Sequence, residues 1–140
     1  MNQKQILLVI AACCFSSAYA ESCPSPKDIK SGPNNFLVTS SGWRSDRSYE
    51  IADPGVLVFE YASYSRAPDN KENFGGCQYQ GGGNVVKMLP PADVRFVATN
   101  NNWAAYPASP GLYLCEAVGS QGACEFTLSR QTKATINPFD

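Results

Sequence analysis

The sequence contains no histidine, and charged residues make up only 16% of its 140 positions. Without histidine, neither the Ser-His-Asp nor the Cys-His arrangement of nucleophilic catalysis can be assembled. The 11 basic and 12 acidic residues leave a net charge of −1 and form neither a basic patch for nucleic acid nor an acidic tail. No two cysteines have C-x-x-C spacing, so a zinc site is not expected. The sequence therefore predicts no metal, no cofactor and no nucleic-acid partner.

The first 20 residues have the pattern of a cleaved signal peptide. Lys4 supplies a positive charge, and residues 6–15 form an apolar run that is too short to span a bilayer. Ala18-Tyr19-Ala20 then places small residues where signal peptidase reads them. Removal takes Lys4 and no acidic residue, so the net charge moves from −1 to −2. We expect a secreted or periplasmic mature chain that begins at Glu21 and has no membrane span.

A lipoprotein signal is the alternative for this segment. Ile10-Ala11-Ala12-Cys13 resembles a lipobox, in which the cysteine is lipidated and becomes the new N-terminus. Only residues 6–9 would then form the apolar core ahead of the box, which is short for a signal. The length of the apolar run therefore favours cleavage after Ala20 over lipidation of Cys13.

Four cysteines remain in the expected mature chain, Cys23, Cys77, Cys115 and Cys124. An even number in an exported chain predicts two disulfides. Residues 112–128 are predicted to form a hairpin around 119–122, which would set Cys115 and Cys124 diagonally, about 7 Å apart and near the limit of disulfide reach. Of the three connectivities we prefer Cys77–Cys115 with Cys23–Cys124, although a bulge would permit Cys115–Cys124.

The mature chain shows short stretches rich in β-branched and aromatic residues, separated by glycine, proline, asparagine and aspartate. No longer stretch has the apolar periodicity of a helix. We predict a single all-β domain over residues 21–140, an antiparallel sandwich or barrel. Its strands are expected at 36–39, 42–51, 56–61, 77–80, 84–89, 94–98, 112–118, 123–128 and 132–136.

The polar stretch 62–76 is the longest predicted loop. Loops of this length in compact domains are often functional. Within it, Asp69-Asn70-Lys71-Glu72-Asn73 offers oxygen ligands for Ca²⁺, but the spacing does not match an EF-hand and Lys71 places a cation in the middle. We interpret this segment as a polar loop tip.

The surroundings of the four cysteines resemble those in a family of small secreted domains. The matching segments are Cys23-Pro24-Ser25-Pro26-Lys27-Asp28-Ile29, Cys77-Gln78-Tyr79-Gln80-Gly81, Tyr113-Leu114-Cys115 and Cys124-Glu125-Phe126. The family occurs in environmental and pathogenic Gram-negative bacteria and has no known function. The resemblance implies export and a shared fold, and it carries no catalytic residues.

Five aromatic residues are candidates for ligand binding. Exposed tryptophan and tyrosine side chains on a β-sandwich can stack on sugar rings or anchor a protein interface. The candidates are Trp43, Tyr61, Tyr64, Trp103 and Tyr106. A domain of this size needs large side chains in its core, which favours a core position for each tryptophan. Tyr64 and Tyr106 are expected at the surface.

Two further features offer weaker hypotheses. Asp53, Glu60 and Asp93 could contribute to a carboxylate pair for hydrolysis, although solvation at the surface explains each of them better. The chain ends Asn137-Pro138-Phe139-Asp140, and Asn-Pro-Phe is a ligand of EH domains in eukaryotic endocytic proteins. A motif this short arises easily by chance.

Three functions remain open. The favoured one is an exported, non-catalytic module that binds an extracellular glycan or protein, including a protein of a host. The second is an inhibitor or structural envelope factor that uses a protruding 62–76 loop. The third is a small hydrolase that uses two carboxylates in one cleft.

Overall fold

The computed structural model describes residues 21–66, 72–91 and 94–130. Ten β-strands form two antiparallel sheets, and the described residues contain four short 3₁₀ turns and no α-helix. The strands are β1 (Lys30–Ser31), β2 (Phe36–Val38), β3 (Arg44–Ser48), β4 (Val58–Arg66), β5 (Glu72–Gly81), β6 (Asn84–Leu89), β7 (Val94–Ala98), β8 (Ala104–Ala105), β9 (Leu112–Glu116) and β10 (Phe126–Arg130). The all-β, antiparallel prediction is confirmed.

The larger sheet has eight strands in the order β1-β2-β3-β6-β5-β4-β9-β8, and the smaller one pairs β7 with β10. The long strands β4, β5 and β6 are joined as consecutive antiparallel neighbours at the centre of the large sheet. The β5–β6 connection is a tight hairpin at Gly82 and Gly83, which both adopt the positive φ that such a turn requires. No helix in the described ranges is long and apolar enough to cross a membrane.

The predicted 62–76 loop is mostly strand, so that prediction was wrong. β4 continues to Arg66 and β5 begins at Glu72, which leaves only residues 67–71 between them, outside the described residues. Gly75 and Gly76, which suggest a turn in the sequence, instead form an irregularity in the ladder opposite Ser63. A Cβ on Gly75 would lie 2.5 Å from the Ser63 hydroxyl and 3.1 Å from the Ser63 carbonyl oxygen, so a larger residue there would crowd the neighbouring strand.

The core lies on the inner face of the large sheet. Phe59, Tyr79 and Phe126 are among its fully buried side chains, and the rings of Phe59 and Tyr79 meet edge to face at 5.6 Å. The buried hydroxyl of Tyr79 donates a hydrogen bond to the carbonyl of Pro24, which ties the N-terminal arm to the centre of the sheet. The same arm is covalently fixed by the disulfide Cys23–Cys77.

The second disulfide joins Cys115 to Cys124, so the preferred connectivity was wrong. Cys77 on β5 and Cys115 on β9 both pair with Ala62, which lies on the strand between them. Two strand spacings of about 4.8 Å separate them by roughly 9–10 Å, which is beyond disulfide reach. Cys23 is bonded to Cys77 instead, and Cys115 to Cys124.

The predicted 112–128 hairpin is also wrong. β9 pairs with β4 and β8 in the large sheet, whereas β10 pairs with β7 in the small one. Between them the backbone turns at Gly119, whose φ is +74° and whose N–H donates to the Phe59 carbonyl. The 3₁₀ turn Gln121–Ala123 follows and brings Cys124 to within 5.7 Å of Cys115, measured between Cα atoms. The short disulfide therefore closes a turn between sheets.

Candidate functional site

The predicted aromatic residues occupy different positions. Trp43 is only 4% exposed and lies in the core, where its ring centroid is 5.9 Å from that of Phe126. Tyr64 is 8% exposed, so the prediction of a surface position for it was wrong. The second irregularity in the β4–β5 ladder lies just before Tyr64, which shares the inner face of β4 with Ala62. Neither side chain offers an open face to a ligand.

Trp103 is half-buried and belongs to a packed aromatic group. Its ring meets Tyr64 edge to face at 5.3 Å, and Tyr64 stacks on Tyr113 at 4.9 Å with a 7° interplanar angle. The indole N–H of Trp103 donates to the Glu125 carbonyl, 3.0 Å away. These contacts fasten the segment before β8 to the segment before β10 and give Trp103 a structural role.

Tyr106 is the one predicted aromatic that is clearly at the surface, with 44% of its area exposed. It follows β8 and lines a shallow cleft of about 370 Å³ with Pro107, Leu114 and Glu116 among others. Glu116 also borders a second, larger cleft on the neighbouring strands.

That larger cleft is centred on Tyr61 and has a volume of about 590 Å³. We call it the Tyr61 cleft, and it is lined by Val58, Glu60, Tyr61, Gln80, Glu116 and Val118. It lies on the outer face of the large sheet, opposite the core. Val58 and Val118 are 47% and 74% exposed, so large apolar surfaces border a polar centre.

A β-bulge on β4 creates this arrangement. Phe59 pairs with Tyr79 and Tyr61 pairs with Gln78, which leaves Glu60 as an extra residue without a partner in the ladder. A bulge brings two successive side chains to the same side of a strand. Glu60 and Tyr61 therefore both face outward, while Phe59 before them remains in the core.

Hydrogen bonds fix the polar centre of the cleft. The Tyr61 hydroxyl donates to Oε1 of Gln78 at 2.6 Å, and Nε2 of Gln78 donates to Oε2 of Glu60 at 2.9 Å. Burial raises the pKa of the Tyr61 phenol, and the neighbouring carboxylates of Glu60 and Glu116 raise it further, against the effect of the Gln78 hydrogen bond. The phenol is therefore neutral at physiological pH and oriented by Gln78.

The outer face is organised in rows across the strands. One row runs from Glu116 through Tyr61 and Gln78 to Lys87. The next row is Val58, Gln80 and Val85, of which both valines are exposed.

Of the other acidic candidates, Asp53 lies outside this site. Asp53 caps the following 3₁₀ turn, where its Oδ1 accepts from the Gly55 N–H at 3.0 Å. Asp93, the segment 69–71, the predicted strand 132–136 and the motif Asn137, Pro138 and Phe139 lie outside the described residues, as does the predicted signal segment. Among the described residues, no three histidine, cysteine, aspartate or glutamate side chains converge as a metal site would require.

Sequence reasoning identified Tyr61 and Glu60 and missed Gln78, Glu116 and the exposed valines. The pairing of Glu116 with Tyr61 depends on β9 lying next to β4, which the predicted 112–128 hairpin precluded. Alternation within Gln78-Tyr79-Gln80 was the one available signal, because both glutamines face outward when Tyr79 is buried.

No protein-family model matches this chain, and neither a curated protein nor a solved structure matches it significantly. The resemblance carried by the cysteine surroundings stays a prediction.

Proposed function

We propose that this protein is an exported, non-catalytic binding module for an extracellular glycan or protein, and that the Tyr61 cleft is its binding site. The observation that carries the proposal is the combination of exposed Val58 and Val118 with an ordered polar centre of Tyr61, Gln78 and Glu60. Isolated exposed valines need no explanation, but apolar side chains grouped around convergent polar groups are typical of binding sites.

The cleft is also built for rigidity. Tyr61 and Gln78 lie on β4 and β5, the two long central strands, and each strand is paired on both sides. The hydrogen bonds of Gln78 hold both the phenol and the Glu60 carboxylate, so these groups lose little conformational freedom when a ligand binds. This supports recognition by a preformed surface.

Two observations support export. The disulfides Cys23–Cys77 and Cys115–Cys124 are consistent with an oxidising compartment outside the cytoplasm. Glu21, the first residue after the predicted cleavage site, forms both backbone hydrogen bonds of a bridge with Phe126. Cleavage after Ala20 would thus retain every residue of this bridge. The resemblance to small secreted bacterial domains points the same way.

Binding to a glycan array and to a panel of purified envelope and host-surface proteins tests the proposal. Val118→Arg places a long charged side chain at the mouth of the cleft and should abolish binding with no change in fold, because Val118 is largely exposed. Val97→Arg is the matched control, since Val97 is exposed on the small sheet. Binding that survives Val118→Arg, or that is lost equally in both variants, would reject the Tyr61 cleft as the site.

A carboxylate-dependent hydrolase is the second candidate, because Glu60 and Glu116 line the same cleft. Glycosidases bury the acid of such a pair, whereas Glu116 is exposed and Glu60 is only half-buried. This difference makes binding the better proposal. Turnover of aryl glycosides that disappears in both Glu60→Gln and Glu116→Gln would make hydrolysis the better proposal. The inhibitor or structural envelope factor stays an untested alternative; the 62–76 segment that it would use is strand apart from residues 67–71, which lie outside the described residues.

A further inference from the structure

The Tyr61 cleft carries negative charge that the described residues do not neutralise. Glu60 and Glu116 line it, and none of the described basic side chains does. Glu60 accepts a hydrogen bond from the neutral amide of Gln78, and within residues 21–66, 72–91 and 94–130 neither carboxylate forms an ion pair. A ligand with a positive charge would therefore meet two carboxylates that have no competing cation in this part of the chain.

Lys87 lies on the same row of the outer face but extends away from the cleft. A Cβ on Gly76 would lie 2.9 Å from Cε and 3.0 Å from Cγ of Lys87, so the lysine stem crosses the backbone at Gly76. Gly76 lies on one side of Gln78 along β5, and the cleft residue Gln80 lies on the other. The one basic residue of this row therefore leaves the two carboxylates open.

The apolar border of the cleft adds a second requirement. Val58 and Val118 line the cleft, and Val85 continues the apolar row one strand beyond Gln80. A neutral sugar would bring few apolar groups to these valines, and an anionic sugar would be repelled by the carboxylates. A peptide with a basic side chain between apolar ones satisfies both features of the surface.

We propose that the Tyr61 cleft binds a basic, apolar segment of a partner protein, with a lysine or arginine side chain placed against Glu60 and Glu116 and with its apolar neighbours on Val58 and Val118. The ring of Tyr61 lies beside both carboxylates and can support a guanidinium by cation–π contact. This chain already uses that contact elsewhere: the Arg47 guanidinium lies 4.4 Å from the ring centroid of Tyr49. The inference rests on the proposed function and specifies its ligand.

Selection from a random dodecapeptide phage library on the oxidised protein tests the inference. The recovered peptides should contain lysine or arginine flanked by apolar residues. Their synthetic forms should bind the Glu60→Gln/Glu116→Gln variant about tenfold more weakly, because two exposed ion pairs are lost. The matched control is Glu50→Gln/Glu125→Gln, which removes the same charge from two other exposed positions and should bind as the wild type does.

Each other outcome overturns the inference. The proposal of a basic peptide ligand is rejected if the recovered peptides lack basic residues or if they bind both double variants equally. It is also rejected if the library yields no binder. If a neutral glycan instead binds the wild type and does not bind Val118→Arg, the inference fails while the proposed function stands. If no glycan or protein responds to Val118→Arg, the proposed function fails as well.

Discussion

Removal of the Cys23–Cys77 disulfide by a Cys23→Ala/Cys77→Ala double substitution should destabilise the protein more than the matching removal of Cys115–Cys124. The cross-linked cysteines are 54 residues apart in the first disulfide and 9 in the second. Loop-closure entropy then gives stabilisations of about 4.2 and about 2.6 kcal/mol, a difference of about 1.6 kcal/mol.

The two double variants are well matched. All four cysteines are at most 2% exposed, so each variant removes two buried sulfur atoms and creates similar packing defects. The difference between the variants therefore isolates the effect of loop length better than either loss alone does.

Urea denaturation of the oxidised wild type and of both variants at pH 7 measures this difference as free energies of unfolding extrapolated to water. Equal losses, or a larger loss when Cys115–Cys124 is removed, would refute the reasoning. A tryptic digest without reduction checks the connectivity directly, because Cys115 and Cys124 have no lysine or arginine between them and would stay in one peptide.

Three other features of the structure lead to predictions. Tyr79→Phe leaves the buried Pro24 carbonyl without its donor and should lower the free energy of unfolding by about 2 kcal/mol at pH 7. Burial raises the pKa of Tyr79 above its ordinary value of 10.0, so its neutral form stabilises the fold fully below that pH and this contribution falls as the pH rises further. Urea denaturation from pH 8 to 11 should show a steeper loss for the wild type than for Tyr79→Phe, and parallel profiles would contradict this. N-terminal sequencing of the exported protein should begin at Glu21, whereas a lipid-bearing N-terminus would exclude cleavage at that site. Glu60→Gln should lower the pKa of Tyr61 in a ¹³C NMR titration, since the Glu60 carboxylate helps to raise it; an unchanged pKa would refute this electrostatic account.

The fold class and the local turns could be predicted from the sequence because local chemistry determines them. Gly81-Gly82-Gly83 requires a hairpin whatever surrounds it, since successive positive φ values favour glycine. Asp53-Pro54-Gly55 likewise forms its turn through a local hydrogen bond, which the Gly55 N–H donates to the Asp53 carboxylate two residues earlier. The strands 36–39, 84–89 and 94–98 follow from β-branched and aromatic content.

Strand order could not be predicted, because it depends on contacts between distant residues. The turn residues Gly119-Ser120-Gln121-Gly122 suggested a hairpin, yet β9 is placed beside β4, far away along the chain. The polarity of 62–76 suggested a loop. A strand with one face exposed to solvent carries polar residues on that face, and their composition resembles that of a loop. Tyr64 is buried within that stretch, where its ring packs against those of Trp103 and Tyr113.

The candidate site was only partly predictable for the same reason. Tyr61 was identified as an aromatic near a strand end, but its outward direction comes from the bulge at Glu60, which the sequence does not indicate. Trp43 lies in the core, the position that the sequence favoured for it, although its neighbours in sequence are polar. It directly follows a tight turn at Gly42, whose φ is +92°.

A ¹⁵N–¹H NMR titration of the oxidised protein with the strongest ligand from the binding panels locates the binding surface residue by residue. If the Tyr61 cleft is the site, the largest chemical-shift changes occur at the amides of Tyr61, Gln78, Gln80 and Val118, and they vanish in Val118→Arg and persist in Val97→Arg. Changes centred instead on Tyr106, on the small sheet, or near Trp43 would show that the ligand binds elsewhere and would contradict the assignment of the Tyr61 cleft.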